Sequence, residues 1–425
     1  MEGLVKALTL RIKVGLRGGK LSRIVNCYPP KLQDEVIVQR FSVPFAYNVH
    51  FTNRALAPSS RVLVNAICLN KTSELRRVFA IVDEGLAKAR PGLSSELRNY
   101  FKAHRDSMRL VAPPLCVPGG EKVKDDPHWL LQIHKKLHHF HIDRHSIVLT
   151  IGGGAVLDMA GFAAATTHRG VRNVRVPTTL LSQADGGLGV KTGINRFKVK
   201  NFLGTFAVPV AVVNDYDFLH TLPPRHLISG MAEAVKVALI RDRKFFDWLL
   251  DHSTSLRSHQ PSMVENLIKW SATLHLNHIA LAGDPFESGS ARPLDFGHWA
   301  AHKLESMTSY RLHHGEAVAI GIAIDSRYSR EIGILSEQDL GRILRLLDRL
   351  GLPSWHRTLD RKGPDGRLKI LRGLDEFKEH IGGDLTITLL KRIGGGTEVD
   401  RIDHAVLRRV ISWLKKRHSS RCDSK

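Results

Sequence analysis

Three side chains of kinds that bind divalent metals stand in separate segments of the C-terminal half. Glu233 lies in the apolar run 230–236, where an unpaired carboxylate would be costly to bury. His298 and His314 lie in two further segments of helical pattern. Two histidines and one carboxylate with an open position are typical of a catalytic zinc site. His302, one helical turn after His298, is a candidate fourth ligand or substrate contact. By spacing alone, the same residues are also consistent with a paired core that holds no metal.

A second feature is a glycine turn between a predicted strand and a predicted helix. The apolar run Ile147–Ile151 leads directly into Gly152, Gly153 and Gly154, and a segment of helical pattern with Asp158 follows. Glycines at such a turn let backbone N–H groups approach a pyrophosphate, and a helix N-terminus favours its charge. Three glycines alone also suit any tight turn. Their place between a strand and a helix favours a nucleotide site.

A third feature is a run of polar residues shortly after that turn. Val176–Asp185, Lys191–Asn195 and Lys200–Gly204 together contain glycines, lysines, asparagines and aspartates. Lysines bind phosphate groups, while aspartate and asparagine bind hydroxyl groups. This mixture suits a phosphorylated polyol. A solvated glycine-rich loop is the alternative interpretation.

Two kinds of element have to position these residues. From about residue 41 to 220, short apolar runs alternate with amphipathic segments such as Pro127–His138, which predicts an α/β domain with a parallel, Rossmann-like sheet. The predicted strands are Val62–Cys68, Val78–Val82, Leu115–Val117, Ile147–Ile151, Val174–Val176 and Val210–Val213.

From residue 221 to 425 the pattern is mostly helical, and it predicts a second, all-α domain apart from one short strand at Leu385–Leu390. The predicted helices are Arg225–Ile240, Ser262–Ala280, His298–Glu305, Glu316–Arg330, Gln338–Leu350 and Arg401–Lys416. A cleft between the two domains is the expected place for a site.

Composition narrows the class of protein. No run reaches the about 18 apolar residues of a membrane helix, so we expect no membrane partner. Four scattered cysteines indicate a reducing compartment such as the cytoplasm, and they form no thiolate metal site. The net charge of +22 could indicate a nucleic-acid binder. Its cations are spread along the chain, however, so we expect an anionic small substrate and no nucleic acid.

The first 40 residues form a basic extension of their own. Residues 3–33 contain no Asp or Glu but several Lys and Arg. Such a leader is consistent with an organelle transit peptide, a disordered extension or a misassigned start codon.

Taken together, the segments from about Phe41 onward resemble the 3-dehydroquinate synthase superfamily of sugar-phosphate cyclases. The matching segments are Pro-Gly-Gly-Glu-Lys ending at Lys122, the glycine turn with Asp158, His168–Val171, Val176–Leu181, Lys191–Asn195, Leu222–Arg225, Ala232–Lys236, Phe296–His298 and His314–Gly321. Within the superfamily, Arg292–Glu305 and Glu376–Gly383 look closer to epi-valiolone-type cyclases, and closest to the cyclase branch of ebo-type gene clusters.

The resemblance implies an NAD-binding α/β domain joined to a metal-binding helical domain, usually in a homodimer. The implied ligands of a divalent metal, zinc or cobalt, are Glu233, His298 and His314. The implied NAD contacts are Asp83, Glu121, Lys124, Gly153, Gly154, Asp158, Thr178 and Thr179. The implied substrate contacts are Asp185, Lys191, Lys200, Asn201, Lys236, Arg292 and His302, with Arg169 reaching a phosphate from the neighbouring subunit.

The implied reaction is a phosphate-eliminating cyclisation of a seven-carbon sugar phosphate, which makes the chain a carbon–oxygen lyase. The metal would lower the pKa of substrate hydroxyls, and NAD would take a hydride and later return it. Phosphate elimination, ring opening and an aldol closure would give the carbocycle. Two alternatives share the architecture: a glycerol-dehydrogenase-like oxidoreductase and a non-catalytic binding homologue.

Three departures from the pattern of 3-dehydroquinate synthases concern the substrate. Arg292 stands six residues before His298 instead of seven, Asp295 replaces an expected asparagine, and His275 replaces an expected lysine. An added carboxylate and a lost cation would weaken a pocket for a substrate carboxylate. A carboxylate-free ketose such as sedoheptulose 7-phosphate fits these changes better than 3-deoxy-heptulosonate 7-phosphate. His275 could also be an ordinary surface histidine.

Overall fold

The computed structural model describes residues 39–68, 75–197, 199–281, 286, 293–381 and 385–422. The basic leader to residue 38 and Arg292 lie outside the described residues. Contacts group Ala46–Lys425 into one compact unit, so the division near residue 220 remains a prediction. In the part of the chain that is described, no helix is both long and apolar enough to cross a membrane.

The strands are β1 Asn48–Thr52, β2 Arg76–Asp83, β3 Met108–Leu110, β4 Leu115–Val117, β5 Ile147–Gly152, β6 Arg172–Pro177, β7 Lys191–Arg196, β8 Val199–Phe206, β9 Ala211–Asp215, β10 Ile387–Arg392 and β11 Gly395–Val399. The α-helices are α1 Val62–Ile67, α2 Glu84–Ala89, α3 Leu93–Ala103, α4 Pro127–His139, α5 Gly154–Thr166, α6 Pro224–Arg241, α7 Arg243–Asp251, α8 Ser253–Arg257, α9 Pro261–Leu281, α10 His298–Met307, α11 His314–Glu331, α12 Glu337–Leu350, α13 Arg372–Ile381 and α14 His404–Cys422.

A parallel sheet forms the centre of the first half. Its order is β1-β9-β6-β5-β2-β3, and β4 pairs with the later part of β2. Side chains alternate across it, as on β2, where Val78, Ala80 and Val82 enter one apolar cluster while Phe79 and Ile81 enter another. Both faces are therefore covered, as the near-continuous apolar strands predict for a parallel sheet.

One predicted strand is wrong. Val62–Cys68 contains helix α1, Val62–Ile67. Its buried residues are Leu63, Val64, Ala66 and Ile67, a spacing that gives a helix one buried side. A short apolar run does not distinguish a strand from a buried helical turn by periodicity, which is why the prediction failed here.

The second half is mostly helical, as predicted. Helices α6, α9, α10, α11 and α12 cover the predicted segments, and α14 begins at His404, three residues after the predicted start. The predicted strand near Leu385 is β10, which pairs antiparallel with β11. A large apolar cluster fills the space between these helices, with Trp299, Phe245 and Phe246 buried inside it. The α/β-plus-helical fold class is confirmed.

A hairpin is among the features of the fold that were not predicted. The polar stretch from Lys191 to Phe206 forms an antiparallel hairpin, β7–β8, apart from the main sheet. Its strand β8 is largely exposed, so it lacks the alternation of buried and exposed residues that identifies a strand.

Candidate active site

The three predicted metal ligands lie together on three helices. Glu233 is on α6, and His298 and His314 are the first residues of α10 and α11. Their ligand atoms all lie within 4.8 Å of one another. Nε2 of His314 lies 3.1 Å, and Nε2 of His298 3.5 Å, from the same oxygen, Oε1 of Glu233. Two imidazoles that converge on one carboxylate are a donor set suited to zinc or cobalt.

Close backbone contacts hold the three helices at this separation. A Cβ at Gly315 would overlap the carbonyl oxygen of Ser229, which lies one helical turn before Glu233 on α6. Gly297, whose φ is +79°, packs against Gly321 of α11 in the same manner. Glycine is required at these places because any side chain would push the helices apart. Each imidazole is therefore attached to backbone that touches a second helix.

Each ligand histidine also has a partner for its other ring nitrogen. Nδ1 of His298 lies 3.2 Å from the backbone oxygen of Phe296, to which it can donate. Nδ1 of His314 lies 3.1 Å from Oε2 of Glu305. Partners of this kind fix the ring orientation and leave Nε2 for a metal. Sequence reasoning missed Glu305. It stands seven residues after His298 on α10, so its two-turn spacing was a usable signal.

The charges of this centre are strongly coupled. Burial would raise the pKa of Glu233, but Lys236 and His298 hold it well below its ordinary value. Burial alone would lower the pKa of His314, and the carboxylates of Glu305 and Glu233 raise it to about 9. The pKa of His302 shifts in the opposite direction, because burial and the nearby Lys200 both lower it. His314 thus lies between two carboxylates, which favour its protonated form.

Behind His298 lies a further buried carboxylate that sequence reasoning missed. Asp325 of α11 accepts hydrogen bonds from the backbone N–H of Gly297 and from Nε1 of Trp299, each at 2.9 Å. Gly297 and Trp299 stand directly before and after His298, the predicted metal ligand. Burial raises the pKa of Asp325 to about 7, although both hydrogen bonds act to lower it.

The glycine turn lies at the carboxyl edge of the sheet. Strand β5 ends at Gly152, and α5 begins at Gly154, where an added Cβ would meet nothing within 4 Å. At Gly153 a Cβ would lie 3.2 Å from Thr179. The N-terminus of α5 thus faces open space, and the glycines there carry no side chain that would block it. This arrangement fits a bound pyrophosphate. Asp83 ends β2 at the same edge and accepts from the backbone N–H of Leu86 at 3.1 Å.

A buried lysine links this turn to the hairpin. Nζ of Lys124 lies 2.8 Å from Asp158 of α5, 3.4 Å from Glu121, and in hydrogen-bond contact with Asn201 of β8. Burial opposes its charge, but Asp158 and Glu121 outweigh this and raise the pKa of Lys124. Asn195, another residue that was missed, accepts from the backbone N–H of Asn201 at 2.8 Å.

A third cluster lies between the metal ligands and residues 182–186. Nζ of Lys236 lies 2.5 Å from Glu233 and 3.5 Å from Asp185. Nδ1 of His275 lies 3.6 Å from the other oxygen of Asp185. Burial opposes the charge of Lys236, but Glu233 and Asp185 raise its pKa above the ordinary value. Asp295 makes a smaller contribution in the same direction. His275 is thus not an ordinary surface histidine.

One cleft of about 1460 Å³ connects these clusters. The predicted residues that line it are Asp83, Glu121, Lys124, Gly153, Gly154, Asp158, Thr178, Thr179, Asp185, Lys191, Lys200, Asn201, Lys236, His298, His302 and His314. Glu305, His275 and Asp295 line it too. Glu233 lies against His298 and His314 at its wall. Arg169 does not line the cleft. It borders a separate surface hollow with Asp143 and Arg144.

Fold and site together define an α/β-plus-helical protein with a nucleotide-type turn and a metal-type triad in one cleft. Residues 114–229 match the family model described as 3-dehydroquinate synthase N-terminal, and residues 230–369 match its C-terminal counterpart. The 3-dehydroquinate synthase of Halorhodospira halophila is 39% identical over 295 residues, which are 67% of this chain and 81% of that protein.

Solved structures agree with this match. A 2-epi-5-epi-valiolone synthase from Streptomyces hygroscopicus, with NAD⁺ and Zn²⁺ bound, has 29% identity and a TM-score of 0.78. The match covers 90% of this chain and 100% of the valiolone synthase chain. A 2-deoxy-scyllo-inosose synthase with 22% identity and a TM-score of 0.71, covering 86% of this chain and 96% of its own, shares the fold. The chain belongs to the 3-dehydroquinate synthase family of sugar-phosphate cyclases.

Proposed function

We propose that the protein is an NAD- and divalent-metal-dependent cyclase that converts a seven-carbon sugar phosphate into a carbocycle with loss of phosphate. The observation that carries this proposal is the single cleft in which the triad of Glu233, His298 and His314 meets the glycine turn. Lys200 and Lys236 place cations between them. A simple polyol dehydrogenase has no need for those phosphate-binding cations.

The donor sets fit both cofactors. Glu233, His298 and His314 would hold zinc or cobalt, and the open N-terminus of α5 at Gly154 would receive the pyrophosphate of NAD. When bound, the metal would acidify substrate hydroxyls, and NAD would accept a hydride and return it.

The chain's own residues would do the remaining work. Lys200, beside Asn201 on β8, would bind the phosphate group and stabilise the charge that develops as it leaves. Lys236 and Asp185 are paired at 3.5 Å, so one can donate to and the other accept from neighbouring hydroxyls. His302, whose pKa is lowered by burial and by Lys200, would be neutral, so its ring could donate a hydrogen bond to one substrate hydroxyl and accept one from another.

The residues around Asp185 support a substrate without a carboxylate. His275 faces Asp185 where the sequence pattern led us to expect a lysine, and Asp295 adds a second negative charge near Lys236. A substrate carboxylate in this corner would meet like charges in a half-buried site, which is unfavourable. We therefore propose a ketose phosphate such as sedoheptulose 7-phosphate as the preferred substrate.

Incubation with NAD and Zn²⁺ or Co²⁺ tests the proposal. Each of the two sugar phosphates is supplied in turn, while phosphate release and the cyclic product are followed by NMR. We expect turnover of sedoheptulose 7-phosphate, and we expect Asp295→Asn combined with His275→Lys to move the preference toward the carboxylated sugar. Turnover of the carboxylated sugar alone by the wild-type protein would refute the substrate assignment. Phosphate release from neither sugar by metal-loaded protein would refute the cyclase assignment.

A further inference from the structure

Glu305 occupies a position that neither metal nor substrate binding explains by itself. It is 3% exposed, on the second turn of α10 after His298. A buried carboxylate is retained only if charged or hydrogen-bonded partners compensate its lost hydration. Glu305 has two such partners, and they come from different parts of the fold.

The first partner is the metal ligand His314. Oε2 of Glu305 lies 3.1 Å from Nδ1 of the imidazole, while the opposite ring nitrogen faces Glu233 at 3.1 Å. A carboxylate on Nδ1 fixes the ring plane and favours the tautomer whose Nε2 lone pair is available. His298 obtains the same orientation from a backbone carbonyl, so only His314 depends on a side chain.

The second partner is Lys200 of the hairpin. Both carboxylate oxygens of Glu305 lie 3.1 Å from its Nζ. The next residue, Asn201, contacts Lys124, and Lys124 lies 2.8 Å from Asp158 of α5. The polar contacts therefore run from His314 through Glu305 and the hairpin to the helix behind the glycine turn.

We propose that Glu305 is a positioning residue that fixes His314 for metal binding and, through Lys200, couples the metal centre to the nucleotide end of the cleft. This rests on the proposed metal and NAD sites. If Glu305 served only to neutralise Lys200, its removal would change stability and phosphate binding. The affinity of the protein for a metal, measured without substrate, would then stay unchanged.

Titration of metal-free protein with Co²⁺ alone, followed by visible absorption and calorimetry, separates these roles. We expect Glu305→Gln to weaken Co²⁺ binding about 10–100-fold, as for other residues behind a metal ligand, and to alter the absorption of the bound ion. The control is Asp348→Asn, which removes a carboxylate that pairs with Arg417 and Arg421 away from the cleft. Melting of each metal-free protein shows that it is folded.

The wild-type titration distinguishes failure of the proposed metal site from failure of the positioning role of Glu305. If wild-type protein binds no Co²⁺, the proposed metal site fails. If it binds one ion per chain and Glu305→Gln binds it equally well, with an unchanged spectrum, the positioning role fails alone.

Lys200→Met tests the coupling between the metal centre and the nucleotide end of the cleft. This test remains available if Glu305→Gln does not fold. We expect bound Co²⁺ to change the Kd of NAD about fivefold or more in the wild type, and the reciprocal effect must be equal. Lys200→Met should keep Co²⁺ affinity within about threefold of the wild type, because His314 retains Glu305, but lose most of this coupling. Equal coupling in both proteins, or none in the wild type, would overturn the link through Lys200.

Discussion

Two buried carboxylates, one buried cation and one half-buried cation surround the proposed metal position. Glu233 and Glu305 are balanced by Lys236 and Lys200, and His314 carries a proton because its pKa is about 9. A divalent ion bound by Nε2 of His314 would replace that proton.

Replacing His314 removes one of the three proposed metal ligands. We expect His314→Ala to weaken metal binding by more than about 100-fold, since even partners behind a ligand contribute about 10–100-fold. His313→Ala is the matched control, because the neighbouring ring packs against His226. Metal content after dialysis is the measurement. Stoichiometric metal in His314→Ala would overturn the ligand assignment.

Asp325 gives the protein a pH dependence with a definite sign. Its pKa rises from 3.8 to about 7 on folding, so the folded state holds the proton more tightly than the unfolded state. Its contribution to stability is therefore lost as pH rises toward 7. Asp325→Asn cannot ionise, so we expect its stability relative to the wild type to improve between about pH 4 and 7, by at most about 1.4 kcal/mol per pH unit, and to change little above that range.

Denaturant unfolding of metal-free protein at both pH values measures this difference. A constant gap between the two proteins would contradict the raised pKa of Asp325.

Residue types pointed to the metal triad, the glycine turn and the polar run, and the family resemblance supplied the remaining expected contacts. Most of these residues line one cleft, while their roles stay predictions. Glu305 and Asp325 were missed because each acts on a neighbour of the site, and a lone acidic residue in a helix is ordinary. Arg169 was predicted as a phosphate contact, and one chain alone does not bring it to the cleft.

At the scale of elements, glycines set the distance between helices. Gly315→Ala would place a methyl group against the backbone of Ser229, so α6 and α11 must separate. We expect about 3 kcal/mol of destabilisation and weaker metal binding, because Glu233 and His314 lie on those helices.

Gly341→Ala on α12 is the control for this substitution. An added Cβ there meets nothing within 4 Å, so the same change should stabilise the protein by about 0.5–1 kcal/mol. Thermal melting and Co²⁺ titration of both variants are the measurements. Equal effects would show that the contact with Ser229 does not set the helix separation.

Elements were predicted well where periodicity was strong. Strand β5 and helices α6 and α12 follow their patterns within one or two residues. Among the elements that were missed or misassigned, two show a physical reason. Helix α1 is too short for its period to show, and strand β8 faces solvent and so lacks a buried side. Helix α1 packs on the distant strand β9, and β8 pairs with β7, and an apolar period records neither contact.

At the scale of the whole molecule, the position of Arg169 allows a test of whether catalysis depends on assembly. The resemblance implies a homodimer in which this residue serves the neighbouring cleft, and in the structure it lies outside its own. Arg169→Ala and Glu233→Ala should each be inactive. After unfolding and refolding together, mixed dimers would carry one intact site, and about a quarter of the wild-type activity should return.

Sedimentation of the mixture checks that dimers form. Activity that stays at the level of the separate variants would show that Arg169 does not act across a subunit boundary.

The hairpin also restricts which changes of chain length the protein can tolerate. Lys200 and Asn201 are adjacent, yet one reaches Glu305 and the other reaches Lys124. Their directions depend on the left-handed backbone at Asn201, whose φ is +54°, and on a shift of the hairpin register beside it. Deleting Val199 would change that register, so both side chains would lose these partners. Libraries that vary this hairpin should therefore substitute residues at constant length.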